Sequence, residues 1–526
     1  MGGTFYAEPT AFQIGKVSGE LTGLFMYRDK LAGEASARAF LNDFDQGAAD
    51  FEDCTGSYRF LAVYPDGREL RFGDNAGIMR WYIREDGNPL STNKCSPGYS
   101  NIFCLSLRNA SVNDRTPDYN SIAQFLHFGC IYGTETIFRA VRRSDPEKYY
   151  VLENGLLAEK DKNLKPLEEL ELHGDALEEQ MARLAKAVDG CGGIACTITG
   201  GTDSRNILSH MLHEGMRPLL DITGADTDLD VKVARQIAER LNMELLWTTD
   251  AIVGEDWIDE AIQAADGMTG VCGIYRLNKK ARALKENGIL LECGGLAGEL
   301  YKNDFISFDY PFYGGKPNWR RFLYHIVMIY GFPSGICGQA MLPAINSLPE
   351  RLMPWLASHN GSTKFSAYLS AGREIIQGRA AAVCAMNSRY YIQYTPLMER
   401  RVAAMLCRRN PYSLENHAYP RDRVSNLFPN IKDIRSVTGM TFDTHITLRE
   451  FMHYKKAILR SKLALSIRRN KVRGRWDSCF QAGLSSPQFY AALDRCKALG
   501  ILAPEVAGDT IPAPIADRVF TLGSIL

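Results

Sequence analysis

A chain of 526 residues, 45% hydrophobic and 23% charged, is long enough to bury two or three cores and is neither disordered nor fibrous in composition. Lys+Arg and Asp+Glu both number 61, so no net field draws the chain to nucleic acid or an anionic membrane. MGGTFYAEPTAF lacks the basic-then-apolar order of a secretion signal and the 13 cysteines contain no CxxC pair, which points to reduced thiols and a cytoplasmic location.

About the first 150 residues read as β-rich. SYRFLAVYPDGRELRFGD predicts two alternating strands around Pro65-Asp66-Gly67, where Pro presets φ and Gly allows a positive φ. A further strand is expected at 79–83, and the set suggests a sandwich or layered sheet. The acidic, periodic stretch 167–190 then carries a helix into a second region, 171–445, of alternating strands and helices.

In that region 193–199 reads as a strand, and 204–214 as a helix with Ile207, Leu208, Met211 and Leu212 inward and Gly215 at its end. A strand at 217–223, a helix at 230–241, the strand ELLWTT, a helix at 278–286 and a strand at 288–292 follow. This βαβα order predicts a parallel sheet covered by helices, and a mixed α/β fold overall. Residues 322–349 carry no charge, but Gly331, Pro333, Gly335 and Pro343 break them into two short buried helices rather than a membrane span. His210 and His213, three apart on a helix, lack a third ligand and read as helix-face or core residues.

The last region, 446–526, reads as a helical basic extension. YKKAILRSKLALSIRRNKVRGR, 454–475, has nine basic residues and no acidic one. It fits a solvated helix covering the core through Ile458, Leu459, Leu463, Leu465 and Ile467, or a docking surface for an acidic peptide, an anionic sugar precursor or RNA. No aromatic residues are interleaved through it, which weighs against RNA.

The stretch that carries chemistry is TITGGTDSRNIL, 197–208. A strand ending in Gly200-Gly201 before a helix aims backbone N–H groups at the positive end of the helix dipole, a setting for phosphate or pyrophosphate. Thr199 and Ser204 can donate hydroxyl hydrogen bonds, and Asp203 can hold Mg²⁺. The same residues also fit a tight βα turn with Asp203 as N-cap, and local chemistry leaves both readings open.

TGGTDS resembles the SGGxDS loop of the N-type ATP pyrophosphatases, which cut ATP between the α- and β-phosphates. Four further stretches, two before this loop and two after it, stand in collinear order. FEDCTGSYRFLAVYPDGRELRFGDNAGIMRWYI, with Gly56, Asp74 and Gly77, and QFLHFGCIYGTETIFRAVRR, 124–143, are similar to the glutaminase-like domain of asparagine synthetases. GILLECGGLAGELY, 288–301, matches their second ATP-site loop, and TPLMERRVAAML, 395–406, a later helix start. The resemblance to the asparagine synthetase-like family covers about residues 50–440. It implies a degenerate Ntn-type glutaminase-like domain over 1–170 and a PP-loop ATP pyrophosphatase domain over 171–445.

By that resemblance Thr199, Gly200, Gly201, Asp203 and Ser204 bind pyrophosphate, Ile198, Ile222, Thr223, Cys293 and Gly294 line the nucleoside, and Asp203 and Glu299 hold Mg²⁺. Three departures bear on activity. Gly2 and Gly3 stand where glutamine-dependent members expose a Cys, so the expected nitrogen donor is an amine or free ammonia. Gly295 and Gly298 replace the family's Glu and Asp, leaving Tyr275 or Glu292 as candidate bases. Val437, in IKDIRSVTGMTF, stands where a Lys is expected, leaving Lys432 or Arg435 as candidate cations, each also readable as a surface partner of Asp433.

The implied function is ATP-dependent, AMP-forming amide synthesis on a small-molecule or peptide carboxylate, as in β-lactam synthetases and lasso-peptide cyclases, with no membrane partner. A nucleotide-binding scaffold and an RNA-modifying ATP pyrophosphatase are the alternatives.

Overall fold

The alternation around Pro65-Asp66-Gly67 closes as a hairpin, with Gly67 at φ +83°. The computed structural model describes residues 6–30, 32–84, 116–189, 192–249, 257–265, 267–329, 332–443, 447, 448, 451, 452, 455, 456, 459 and 478–526. In it Tyr6–Ile14 (β1), Val17–Gly23 (β2), Tyr58–Val63 (β3), Glu69–Gly73 (β4), Lys148–Glu153 (β5) and Leu156–Asp161 (β6) form one antiparallel sheet in that order. Helix Gly33–Asp45 (α1) lays Phe40 on this sheet, where it meets Phe72 and Phe60 at centroid distances of 4.9 and 5.7 Å. Ring edges against faces make this aromatic cluster the core of the N-terminal region.

The strand expected at 79–83 starts later, as Tyr82–Arg84, and pairs with Val141–Arg143. The Asp74 carboxylate holds the Ile78 and Met79 amides at 3.0 and 2.7 Å, so this part of the chain is committed to a turn. Among the described residues, the N-terminal region holds the six-stranded sheet and two two-stranded ladders.

The parallel sheet forms as the periodicity predicts, with one strand more. Ile194–Thr197 (β7), Leu219–Thr223 (β8), Leu245–Thr248 (β9), Leu291–Cys293 (β10) and Ile392–Tyr394 (β11) lie in the order β9-β8-β7-β10-β11. Every neighbouring pair is parallel. Helices Thr202–His213 (α2), Leu229–Leu241 (α3), Trp257–Ala265 (α4) and Val271–Glu286 (α5) connect them, burying Ile207, Leu208, Met211, Ala234 and Ile237 fully. Long helix Lys364–Asn387 (α6) leads into β11, and Ala418–Leu427 (α7) packs beside α2.

Among the described residues of the uncharged 322–349 stretch, Leu323–Val327 forms a helical turn, Leu342–Asn346 a short helix, and Leu348 starts the helix Leu348–Ser358; no helix among the described residues is long and apolar enough to cross a membrane. C-terminal helices Pro487–Ala498 and Ala513–Ile525 pack on each other, and Asp517 accepts from the Cys272 amide of α5 at 2.7 Å. Most of the basic 454–475 stretch, and Gly2 and Gly3, lie outside the described residues.

Buried polar groups join the N-terminal sheet to the parallel layer. Arg400 pairs with Glu52 at 3.0 Å, Arg373 donates to Asn75 O at 2.9 Å, and Gln377 donates to Ala76 O at 2.6 Å. Glu399 accepts from the Gly56 amide at 2.8 Å and the Tyr394 hydroxyl at 3.0 Å. Burial pushes its carboxyl from 4.5 up to about 7, against the pull of those two hydrogen bonds. Because the folded value lies above the unfolded one, the native state keeps the proton longer, and stability is lost as pH rises from 4.5 through about 7. Glu399→Gln keeps an acceptor without the charge. Its Tm is expected to equal that of the parent below pH 4.5 and exceed it by about 2 °C at pH 8; equal differences at both pH values in thermal melts would refute this.

Candidate active site at the sheet reversal

Strand order turns around at β7 and β10: the chain runs outward from β7 to β8 and β9, then crosses back to β10 and β11. In open parallel sheets the loops leaving two such strands diverge and leave a crevice at their carboxyl ends. The loops here are 198–201 and 294–298, the two stretches singled out in the sequence. Gly295 is packed on the Asp203–Ser204 peptide, since a Cβ there would lie 2.5 Å from Ser204 N.

The first loop is closed on itself. Thr199 N–H donates to Ser204 Oγ at 3.0 Å, Gly201 N–H to Thr199 Oγ1 at 3.1 Å, and Gly200 N–H to Asp230 Oδ1 of α3 at 2.8 Å. Gly200 does not supply a positive φ. It supplies space, because a Cβ would meet Val437 Cγ1 at 2.3 Å. The amide of Gly200 is thus spent on a carboxylate, which corrects the expectation of an open glycine donor there. Helix α2 begins at Thr202 with Gly201 as N-cap, so Asp203 lies in the first turn and is not the cap.

Asp203 faces a lysine. Lys302 Nζ lies 2.6 Å from its Oδ2, and Thr202 Oγ1 donates to its Oδ1 at 3.1 Å, so both carboxylate oxygens are engaged. Burial raises the Asp203 pKa although Lys302 opposes it. Burial works against the Lys302 ammonium, yet Asp203, with Asp304 and Glu299 beyond it, holds its pKa above the ordinary lysine value. Asp304 is pushed up to about 6, by burial first and then by Glu299 and Asp203, with Lys302 opposing. Glu299 itself is exposed.

Among the described residues Asp203 and Glu299 form no all-protein cage, and an ion held by them would take most of its ligands from water and phosphate. Both Asp203 oxygens have partners, a Cβ at Gly298 would lie 2.0 Å from Asp203 Cγ, and among the described residues no three His, Cys, Asp or Glu side chains converge as ligands. The cation that the fold supplies at this point is Lys302.

The positions expected to line a nucleoside come together at the ends of adjacent strands. Ile198 is buried and its amide bonds Asp221 O at 2.9 Å; Ile222 and Thr223 end β8; Cys293 ends β10 and Gly294 follows it. Thr223 Oγ1 is buried and has no hydrogen-bond partner among the described residues. Beneath this rim Lys280 Nζ sits 2.7 Å from Asp221, 2.5 Å from Thr197 Oγ1 and 3.7 Å from Glu292.

Glu292 is therefore part of a buried network, its pKa raised by burial with Lys280 opposing. Tyr275 is placed in the core against Trp257, with centroids 4.7 Å apart, and not at the loops. Arg435 bonds Gly439 O in its own loop at 2.7 Å, and Lys432 lies 3.8 Å from Asp443. The pairing with Asp433 expected of these two is made instead by Arg240, at 3.0 Å.

Arg205, next to the loop, is fully buried and missing from the expected site. Its guanidinium bonds Ile434 O, reaches Arg435 O at 3.1 Å, and lies 4.2 Å from the centre of the Phe442 ring. The strap it holds sets Val437 N–H on Gly200 O at 3.1 Å. His417, left-handed at φ +54°, has Nδ1 3.2 Å from Thr202 Oγ1, and burial lowers its pKa to about 3, leaving a neutral ring. His210 is likewise buried and neutral, pKa about 3, as a core histidine.

No family model and no curated protein matches the chain.

Charge-assisted bonds to carbonyls contribute about 1.5–3 kcal/mol each. Arg205→Met should therefore speed amide hydrogen exchange in 436–442 by about tenfold or more while sheet amides stay protected; unchanged exchange in the strap would refute the clamp.

Proposed function

We propose that the chain is an ATP-dependent, AMP-forming amide ligase, with the N-terminal region a glutaminase-like fold kept as support and the parallel-sheet region a PP-loop ATP pyrophosphatase domain. The observation that carries the reading is the meeting of the 198–201 and 294–298 loops at the sheet reversal, with Asp203 and Lys302 paired between them. A substrate carboxylate oxygen attacks the α-phosphorus of ATP, the bond to the bridging oxygen breaks, and pyrophosphate leaves. An amine or ammonia nitrogen then attacks the acyl carbon and AMP departs.

Each residue has a defined task in that sequence. The first turn of α2 and the hydroxyls of Thr199 and Ser204 orient the departing phosphates. Lys302 swings between Asp203 and the phosphate oxygens, meeting charge as it develops. Ile198, Ile222, Cys293 and Gly294 enclose the nucleoside, and Thr223 Oγ1 bonds it.

A second reading, a protein that binds nucleotide without turning it over, draws support from the closed loop amides and the doubly engaged Asp203. Calorimetric titration with ATP, run beside ATP–pyrophosphate exchange across a panel of carboxylic acids, separates the two: binding without exchange in every case favours the second. Lys302→Met is expected to lower exchange by about 100-fold, the usual cost of one lost transition-state contact. Asp203→Ala should abolish exchange while leaving the melting profile cooperative; retained exchange would remove Asp203 from the site.

A further inference from the structure

Parallel strands with helices on both sides are apolar on both faces. Three neighbouring strands break that rule at one level. Thr197 of β7 stands in register with Asp221 of β8, and Glu292 of β10 pairs with Ala195, two residues before Thr197. Successive side chains alternate between faces, so all three project from the same side of the sheet. Asp221 and Glu292 are each 1% exposed.

One side chain gathers them. Lys280 of α5 donates to Asp221 Oδ1 at 2.7 Å and to Thr197 Oγ1 at 2.5 Å, and lies 3.7 Å from Glu292 Oε1. Thr197 Oγ1 also lies 3.1 Å from Asp221 Oδ2 and contacts Glu292 Oε1. The tie reaches the floor of the crevice, because a Cβ on Gly294 would stand 3.1 Å from Glu292 Oε1 and 3.5 Å from Thr197 Cβ.

A buried ammonium with two carboxylates is a costly way to join three strands, and apolar side chains of similar volume hold a core as well or better. What the polar contacts add is fixed geometry, since a shift of any strand leaves a buried group unpaired. The geometry fixed here is particular. Ile198 follows Thr197, Ile222 and Thr223 follow Asp221, and Cys293 and Gly294 follow Glu292. Every position assigned to the nucleoside therefore stands one or two residues beyond the tie. The phosphate-side loop is held separately, by Asp230 and by bonds among Thr199, Gly201 and Ser204.

We propose that Lys280 is a positioning residue for the nucleoside half of ATP. Through Thr197, Asp221 and Glu292 it sets the spacing of the three strand ends that grip the base and ribose, while the phosphates are gripped independently of it. The inference rests on the nucleotide site assigned above and requires binding only, not turnover.

The test is calorimetric titration of the full chain with ATP and with inorganic triphosphate, which carries the phosphates without the nucleoside. Thr197→Val removes the central hydroxyl and leaves the Lys280–Asp221 pair in place. Lys280→Met combined with Asp221→Asn and Glu292→Gln removes all three charges without stranding one. Each is expected to weaken ATP binding by about tenfold and to leave triphosphate within about twofold of the parent. Thr197→Ser, which keeps the hydroxyl, should bind ATP as the parent does. Unchanged ATP affinity in either folded variant overturns the proposal, and so does an equal loss for ATP and triphosphate, the mark of a merely structural tie. A parent that binds ATP no more tightly than triphosphate overturns the nucleoside site itself, and the inference with it.

Discussion

Parallel strands cannot be joined by a tight turn, so each step between them is a crossover, and the direction of the crossovers decides where loops part. Here the steps run one way through β8 and β9 and the other way through β10 and β11. The divergence leaves two glycine-rich loops facing each other with α2 rising from one of them. Asp203, Lys302, Thr223 and the Lys280 network all owe their proximity to that reversal, although they are far apart in sequence.

A crevice of this kind works only if its walls keep their spacing, and the supporting contacts are polar and buried. Arg205 fixes the 434–442 strap from inside α2, so the helix that presents the loop also holds the loop's cover. On the other side, Arg373, Gln377, Glu399 and Arg400 reach into the N-terminal region through backbone carbonyls, an amide and Glu52. Unlike an oily contact, these bonds fix orientation, because each leaves a buried group unpaired if the two regions shift. The N-terminal sheet thereby acts as a brace for the crevice whatever its ancestry.

The parallel sheet was legible because its buried faces repeat with helical and strand periods, and both loops were legible because Gly-Gly after an apolar run is rare punctuation. Lys302 escaped by one residue: the 288–301 match ends at Tyr301. Arg205 reads as one more polar residue in an amphipathic helix, and nothing local says that its guanidinium crosses to carbonyls more than 200 positions away. Strand β11, three residues long, is too short to show a period. Lys432 and Arg435 fit a motif position, but the strap curls and spends Arg435 on its own backbone, which only the tertiary fold determines.

Gly200 and Val437 touch across two distant parts of the chain, with no room for even a methyl group at the glycine. The glycine therefore records the width of its neighbour rather than the demands of a turn. The two positions form a single unit of sequence choice, because a larger residue at 200 would require a smaller one at 437. Exchange at either place is a steric negotiation between the loop and its cover, and any re-engineering of the crevice has to begin with that pair.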